Sequence, residues 1–168
     1  MNENKDLRLR KLERKDAPLM LEWMHDDFVV HDMQADFASK TIEDCNEFIK
    51  SAQETDTNLH LAIVDKSDEY MGTVSLKNIH DGSAEFGITI RKSAMGKGIS
   101  KFAMQRIITI GFDELRLKRI FWCVNSTNSR AIRFYDKNGY ERISVTPPVD
   151  GYSNEQVNNY YWYEVRKQ

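Results

Sequence analysis

The run Ala84-Glu85-Phe86-Gly87-Ile88-Thr89-Ile90, followed after a short connection by Met95-Gly96-Lys97-Gly98-Ile99-Ser100, decides how this chain is read. Ala84, Phe86, Ile88 and Ile90 fall on one face and Glu85, Gly87 and Thr89 on the other, the period of two expected of a strand. A carboxylate is therefore predicted in mid-sheet. Past the glycines, Ile99, Ala103, Ile107 and Ile110 recur at helical spacing to about Leu115, giving the longest predicted helix. A strand, a glycine turn and a helix start gather backbone N–H groups where the helix dipole favours an anion such as a phosphate. Two common nucleotide signatures fail here: GxxxxGK[ST] lacks its hydroxyl residue and upstream glycine, and GxGxxG has Lys101 in place of its third glycine. By itself the segment also reads as a turn that simply opens a helix.

Upstream, Leu7 to Leu12 alternate as a first strand, and Asp16 and Pro18 supply a cap and an early proline for a helix to about His25. Thr41 to Asp44 reads as a capping box for a second helix, Ile42 to about Glu54. Leu59 to Ile63 and the segment around Val74 and Leu76 form a hairpin with its turn near Ser67 to Glu69. Downstream, Arg119 to Asn125 is an apolar strand. Asn128 or Thr127 caps a fourth helix to about Asn138, which Gly139 ends. Strands near Tyr140 to Val145 and Val157 to Val165 flank a loop from Pro147 to Ser153. The 168 residues fit one domain, residues 1–168, of mixed α/β (α+β) class: a central, mostly antiparallel sheet with about four helices.

Composition narrows the function classes. With 40% apolar and 30% charged residues and only 8 Gly and 3 Pro, the chain has the make-up of a packed globular protein rather than a disordered or fibrous one. No apolar stretch reaches the roughly 18 residues of a membrane span. Met1 to Arg10 is charged and lacks the apolar run of a signal peptide, so no membrane partner and a cytoplasmic location are expected. Cys45 and Cys123 show neither metal-ligand spacing nor a disulfide framework, the four histidines have no metal spacing, and no metal is expected. The net charge of −2 hides an asymmetry. Glu22 to Glu69 holds 13 acidic residues against 3 basic ones, whereas Lys97 to Arg142 holds 10 basic against 4 acidic. The acidic segment argues against a nucleic-acid partner.

Asn128, Ala131 and Tyr135 share one helical face, with Gly139 and Tyr140 following, which without further context is an ordinary capped amphipathic helix. In order along the chain, the two segments resemble the GNAT superfamily of acetyl-CoA-dependent N-acetyltransferases. The family's loop [QR]xxGx[GA] is matched at Met95 to Ser100, with Gly98 the retained glycine. Its later pattern NxxAxxxYxxxG[FY] is matched in full from Asn128 to Tyr140. Leu7 to Arg10, Asp16 and Glu22-Trp23 resemble the branch of ribosomal-protein N-terminal, spermidine and aminosugar acetyltransferases. Met95 stands where Gln or Arg is usual, and Ser100 where Gly or Ala is usual.

The resemblance implies acetyl-CoA as co-substrate. Pantetheine would lie along Ile88, Thr89 and Ile90, and pyrophosphate over Met95, Gly96, Lys97, Gly98, Ile99 and Ser100. Asn128, beside Ala131, would anchor the pantetheine arm, with Tyr135 near the thioester sulfur. Tyr135 is the candidate acid for the thiolate and Glu85 the candidate base for the amine. The implied acceptor is a small-molecule amine or a protein N-terminus, and the resemblance allows a homodimer. Helices from Asp16 to Glu54 would border the acceptor, and the carboxylates Asp26, Asp27, Asp32, Asp36, Glu43 and Asp44 there favour a cationic amine such as a polyamine or basic peptide N-terminus. Nucleotide-aminosugar or antibiotic acetylation is the alternative within the family. A non-catalytic acyl-CoA-binding module is the alternative outside catalysis.

Overall fold

Asp81 and Gly82 take φ of 50° and 76°, the left-handed pair that a tight hairpin turn demands. The chain therefore folds directly from β3 (Tyr70–His80) back into β4 (Ser83–Ile90). The computed structural model describes residues 6–33 and 35–168, so Met1 to Lys5, half of the charged opening stretch, lie outside the described residues. With β1 (Arg8–Lys11), β2 (Leu59–Val64), β5 (Arg119–Asn125), β6 (Glu141–Ile143) and β7 (Tyr160–Arg166), these strands make one sheet in the order β1-β2-β3-β4-β5-β7-β6. Every neighbouring pair is antiparallel except β4 and β5.

Helices cover both faces. α1 (Ala17–Met24), α2 (Asp27–Val30) and α3 (Ile42–Ala52) lie on one side, where Met20, Trp23, Cys45 and Ile49 pack on Ala62, Val64 and Tyr70. α4 (Ile99–Thr109) and α5 (Ser129–Lys137) lie on the other, where Ala103, Met104, Ile107 and Tyr135 pack on Val74, Leu76, Phe86, Ile120 and Trp122. The alternation read from Ala84 to Ile90 assigns these faces, since Phe86 enters the α4 side and Glu85 the other.

Six helices are found among the described residues where about four are expected. The additions are α2, a single turn capped by Asp26 accepting from the Phe28 N–H at 3.0 Å, and α6 (Asn154–Asn159). α6 starts from a Ser153–Gln156 capping box and takes the first residues of the segment expected as strand from Val157, so β7 begins at Tyr160. Val157 is buried, but from a helix. The long helix also ends differently. α4 closes at Thr109 and passes into a wider π turn, Ile110–Glu114, within which Gly111 lies so near β5 that a Cβ there would stand 2.9 Å from Ile120 Cδ1.

Asp16 makes no side-chain cap on α1. Its carboxylate, 1% exposed, receives two hydrogen bonds from the Arg10 guanidinium, both 2.8 Å, and one from the Glu13 N–H. Arg10 also reaches Asp68 in the β2–β3 turn, where Arg8 and Lys15 converge. Lys15 and Arg10 hold the Asp68 carboxyl well below the usual carboxylate range. The cluster fastens the edge strand and the start of α1 to that turn.

Removing Arg10 would strand a buried carboxylate. Arg10→Met should lower the unfolding free energy in urea by about 3 kcal/mol, and Asp16→Asn added to it should recover more than half. A loss below about 1 kcal/mol would show that the cluster behaves as an ordinary surface network.

Candidate active site

The parallel ladder between β4 and β5 consists of Ser83↔Arg119, Ala84↔Ile120 and Glu85↔Phe121, and then it stops. Beyond Glu85, β4 stays zipped to β3 as far as Ile90↔Gly72, and β5 to β7 as far as Asn125↔Tyr160. The central strands diverge, and a cleft of about 1130 Å³ opens in the split. The β5-facing backbone groups of Phe86 to Ile90 have no ladder partner there, so the cleft wall is a ready sheet edge.

Most of the residues singled out in the sequence converge on this cleft. Ile88, Thr89 and Ile90 form one wall. Met95, Gly96, Gly98, Ile99 and Ser100 close one end, and Asn128, Ala131 and Tyr135 come from α5. Gly98 is the N-cap of α4 with φ 75°, and Gly96 has φ 78° with open space where its Cβ would be. Both positions need glycine for backbone reasons. Ile99 is 5% exposed and packs into the core, which leaves only its backbone for the cleft. Lys97 is exposed and does not line the cleft. Asn128, not Thr127, caps α5, its Oδ1 accepting from the Ala131 N–H at 3.2 Å.

Glu85 and Tyr135 belong to opposite faces of the sheet, yet the split exposes both to one cavity. Glu85 is 7% exposed, so it is not a surface strand carboxylate. Its Oε2 accepts a hydrogen bond from the Tyr152 hydroxyl, which arrives from the Pro147–Ser153 loop. Tyr135 packs among Trp122, Phe134, Tyr140 and Tyr163, with ring centroids 5.0–6.4 Å away. Burial, then the neighbouring Tyr163, Cys123 and Tyr140, push its phenol above the ordinary tyrosine value, so it stays protonated at neutral pH. Cys123 lines the same cleft, and burial first, then the Glu85 charge, push its thiol up to about 11, with a hydrogen bond to Tyr152 opposing. It is an unreactive thiol there.

Tyr152, Lys77 and Arg130 also line this cleft, and the sequence reading did not single them out. Tyr152 sits in a loop with no periodicity to flag it. Lys77 becomes visible only once the register pairs it with Glu85. The Arg130 guanidinium touches the Met95 sulfur at 2.8 Å, bringing a cation beside the position where Met95 replaces Gln or Arg. The acidic segment is used mainly in capping and turns. Asp26 caps α2, Asp44 accepts from the N–H of Thr41, the N-cap of α3, Asp36 accepts from the Ser39 N–H, and Asp27 and Glu43 occupy first helical turns. Asp32 lines the cleft, paired with His31 at 2.9 Å and accepting from the Thr127 hydroxyl across it at 2.8 Å. Among the described residues no group of three or more His, Cys, Asp or Glu side chains could hold a metal ion, and no helix is long and apolar enough to cross a membrane.

A glycine turn at a helix start, an interrupted parallel ladder, and a carboxylate and a phenol thus meet at one cleft. The chain belongs to the acetyltransferase (GNAT) domain family, whose profile matches residues 6–141. It is 28% identical to an uncharacterized N-acetyltransferase, p20, of Bacillus licheniformis, over 81% of this chain and 79% of that one. It is 27% identical to the spermidine N(1)-acetyltransferase of Escherichia coli K12, over 80% of this chain and 72% of that one. The fold matches the spermidine N-acetyltransferase of Vibrio cholerae, solved in complex with CoA and spermine, with a TM-score of 0.80 at 21% identity, covering 97% and 96% of the two chains.

His60 gives a pH test of this face. Burial, and then the charge of Lys77, lower its pKa to about 4, while its Nδ1 lies 2.6 Å from the Ser75 hydroxyl. Below about 6.5 the unfolded chain takes up a proton that the folded chain refuses until pH 4. Stability should therefore fall as pH drops through that window. His60→Gln should flatten this part of a urea-midpoint-against-pH curve, and an unchanged slope would assign the acid lability to other groups.

Proposed function

We propose that this protein is an acetyl-CoA-dependent N-acetyltransferase that acetylates a primary amine by direct attack, with Glu85 as general base and Tyr135 serving the leaving thiolate. The observation that carries this reading is the split between β4 and β5, through which groups from both faces of the sheet meet in one cleft. The free edge of Phe86 to Ile90 suits the amides of a pantetheine arm. Gly96 leaves open space, and Gly98 caps α4 with left-handed φ, where a pyrophosphate would sit at the start of α4. A backbone N–H between Ile88 and Ile90 would polarise the thioester carbonyl.

Each proton has a place to go. Tyr152 engages Oε2 of Glu85, leaving Oε1 to take the amine proton, directly or through a water, as nitrogen attacks the carbonyl carbon. When the carbon–sulfur bond breaks, the Tyr135 hydroxyl donates a hydrogen bond to the departing sulfur. Its raised pKa favours donation over ionisation. A lysine-like amine must lose about 3 pKa units at neutral pH, or roughly 4 kcal/mol, whereas a peptide α-amine near ~8 needs far less help. A protein or peptide N-terminus is accordingly the acceptor this site serves most readily. A polyamine acceptor is the second reading, favoured by the similarity to spermidine acetyltransferases.

Three variants separate the roles. Gly98→Val, which forces a β-branched residue to φ 75°, should abolish acetyl-CoA binding in calorimetry, and failure of the unaltered protein to bind millimolar acetyl-CoA would remove the reading. Tyr135→Phe should lower kcat by about tenfold or more with coenzyme affinity nearly unchanged. An unchanged kcat returns Tyr135 to packing. Glu85→Gln should lower kcat/KM about 10²-fold at neutral pH and move its pH profile up toward the amine's own pKa, and an unaltered profile would exclude Glu85 as base.

A further inference from the structure

Lys77 is the register partner of Glu85 across the β3–β4 ladder, so the two side chains share a face, but they form no ion pair. Among the described residues the Lys77 ammonium makes no hydrogen bond or ion pair, while Glu85 accepts from Tyr152. The Lys77 chain runs over Gly87, its Nζ and Cε each 3.4 Å from where a Gly87 Cβ would stand. A side chain at position 87 would meet the ammonium, so glycine keeps this lane open. Lys77 is half-buried at the junction of the main cleft with a side pocket of about 350 Å³ that runs beneath α1 and α3, since Phe37, Lys77, Gly87, Ile88 and Thr89 line both.

The side pocket has little else to balance that charge. Trp23, Phe37 and Phe48 give it apolar walls, and His60 and Ser75 supply polar atoms. His60 is neutral at physiological pH. The other charged residues there are Lys40, exposed at the rim, and Asp44, whose carboxylate already accepts from the Thr41 N–H and hydroxyl. A half-buried ammonium whose nearest carboxylate, Glu85, already accepts from Tyr152 attracts an anionic ligand group and repels a second cation.

We infer that the acceptor carries a carboxylate within a few bonds of its amine, and that Lys77 receives this carboxylate while Glu85 faces the amine. The inference rests on the N-acetyltransferase reading and narrows its acceptor. Directly opposed residues have Cβ atoms about 5 Å apart, so one small molecule or one peptide end can reach both. An α-amino acid, or a peptide whose N-terminal residue is Asp or Glu, has that spacing of opposite charges. A polyamine offers only positive charges.

The test measures CoA release from acetyl-CoA with the unaltered protein and with Lys77→Gln and Lys77→Glu, each checked for folding by circular dichroism. Acceptors are pentapeptides beginning with Asp, Glu, Ala or Lys, free aspartate and glutamate, and spermidine. The unaltered protein should favour Asp- or Glu-first peptides or the free acids over Ala-first peptide by about tenfold or more in kcat/KM, and the free acids distinguish amino acid from peptide. Lys77→Gln should erase this preference, and Lys77→Glu should reverse it toward spermidine and Lys-first peptide. A preference for spermidine in the unaltered protein, or an acceptor order unmoved in folded Lys77→Glu, overturns the inference and leaves the N-acetyltransferase reading standing. Absence of turnover with every amine removes that reading and the inference together.

Discussion

The architecture depends on a parallel ladder that ends after three residue pairs. β4 and β5 are each satisfied on their outer sides, by β3 and β7, so neither is released from the sheet when they part. Parting leaves a row of inward backbone groups in the middle of a sheet rather than at its rim. Such groups need partners. A sheet with an internal gap therefore needs either filling side chains or an extended ligand, and the cleft here is lined by β4 backbone, glycines and a helix start. The connection from β4 through α4 to β5 places that helix N-terminus at the end of the gap where β4 finishes, as expected for ligand sites at the carboxyl ends of strands.

Around the gap, rigidity comes from aromatic packing. Trp122 meets Phe86 at 5.4 Å between ring centroids, stacks on Tyr163 at 5.6 Å with the planes 8° apart, and touches Tyr135 and Tyr140 at 5.3 Å. Trp122 Nε1 is buried without a hydrogen-bond partner, a desolvation cost offset by this extensive ring contact. Tyr163 is tied further by its hydroxyl donating to Asp136 at 2.9 Å. The cluster fixes where α5 sits on β5, and with it the direction of the Tyr135 phenol. Glu85 is fixed differently, by its strand and by a loop tyrosine, so the two sides of the cleft are anchored independently.

The charges divide in the same way. Local carboxylates near helix starts serve backbone N–H groups, as Asp26 and Asp44 do. That use depends on sequence neighbours three residues apart at most. Asp16 holds Arg10 six residues away, and Asp68, meeting Arg8, Arg10 and Lys15, stitches the first strand and the start of the first helix to a turn more than fifty residues away. A segmental charge count cannot separate these uses from a field that a ligand would feel.

The sequence by itself determined the strand from Ala84 to Ile90, the glycine turn, the Thr41–Asp44 capping box, and the face of the strand, opposite Phe86 and Ile88, on which Glu85 lies. Alternation, caps and positive-φ glycines are local rules acting over a few residues. Helix α6 escaped because Val157 has the apolar character of a strand residue, while the Ser153–Gln156 box that overrides it spans the end of the expected loop and the unassigned residues before the expected strand. Tertiary structure alone decided that the central strands separate after Glu85, that Tyr152 comes back to that carboxylate, and that Lys77 lies opposite it on the same face. These follow from strand register and from contacts between residues up to 67 positions apart. Such relations are set when the sheet assembles around its core, and no local pattern in the chain encodes them.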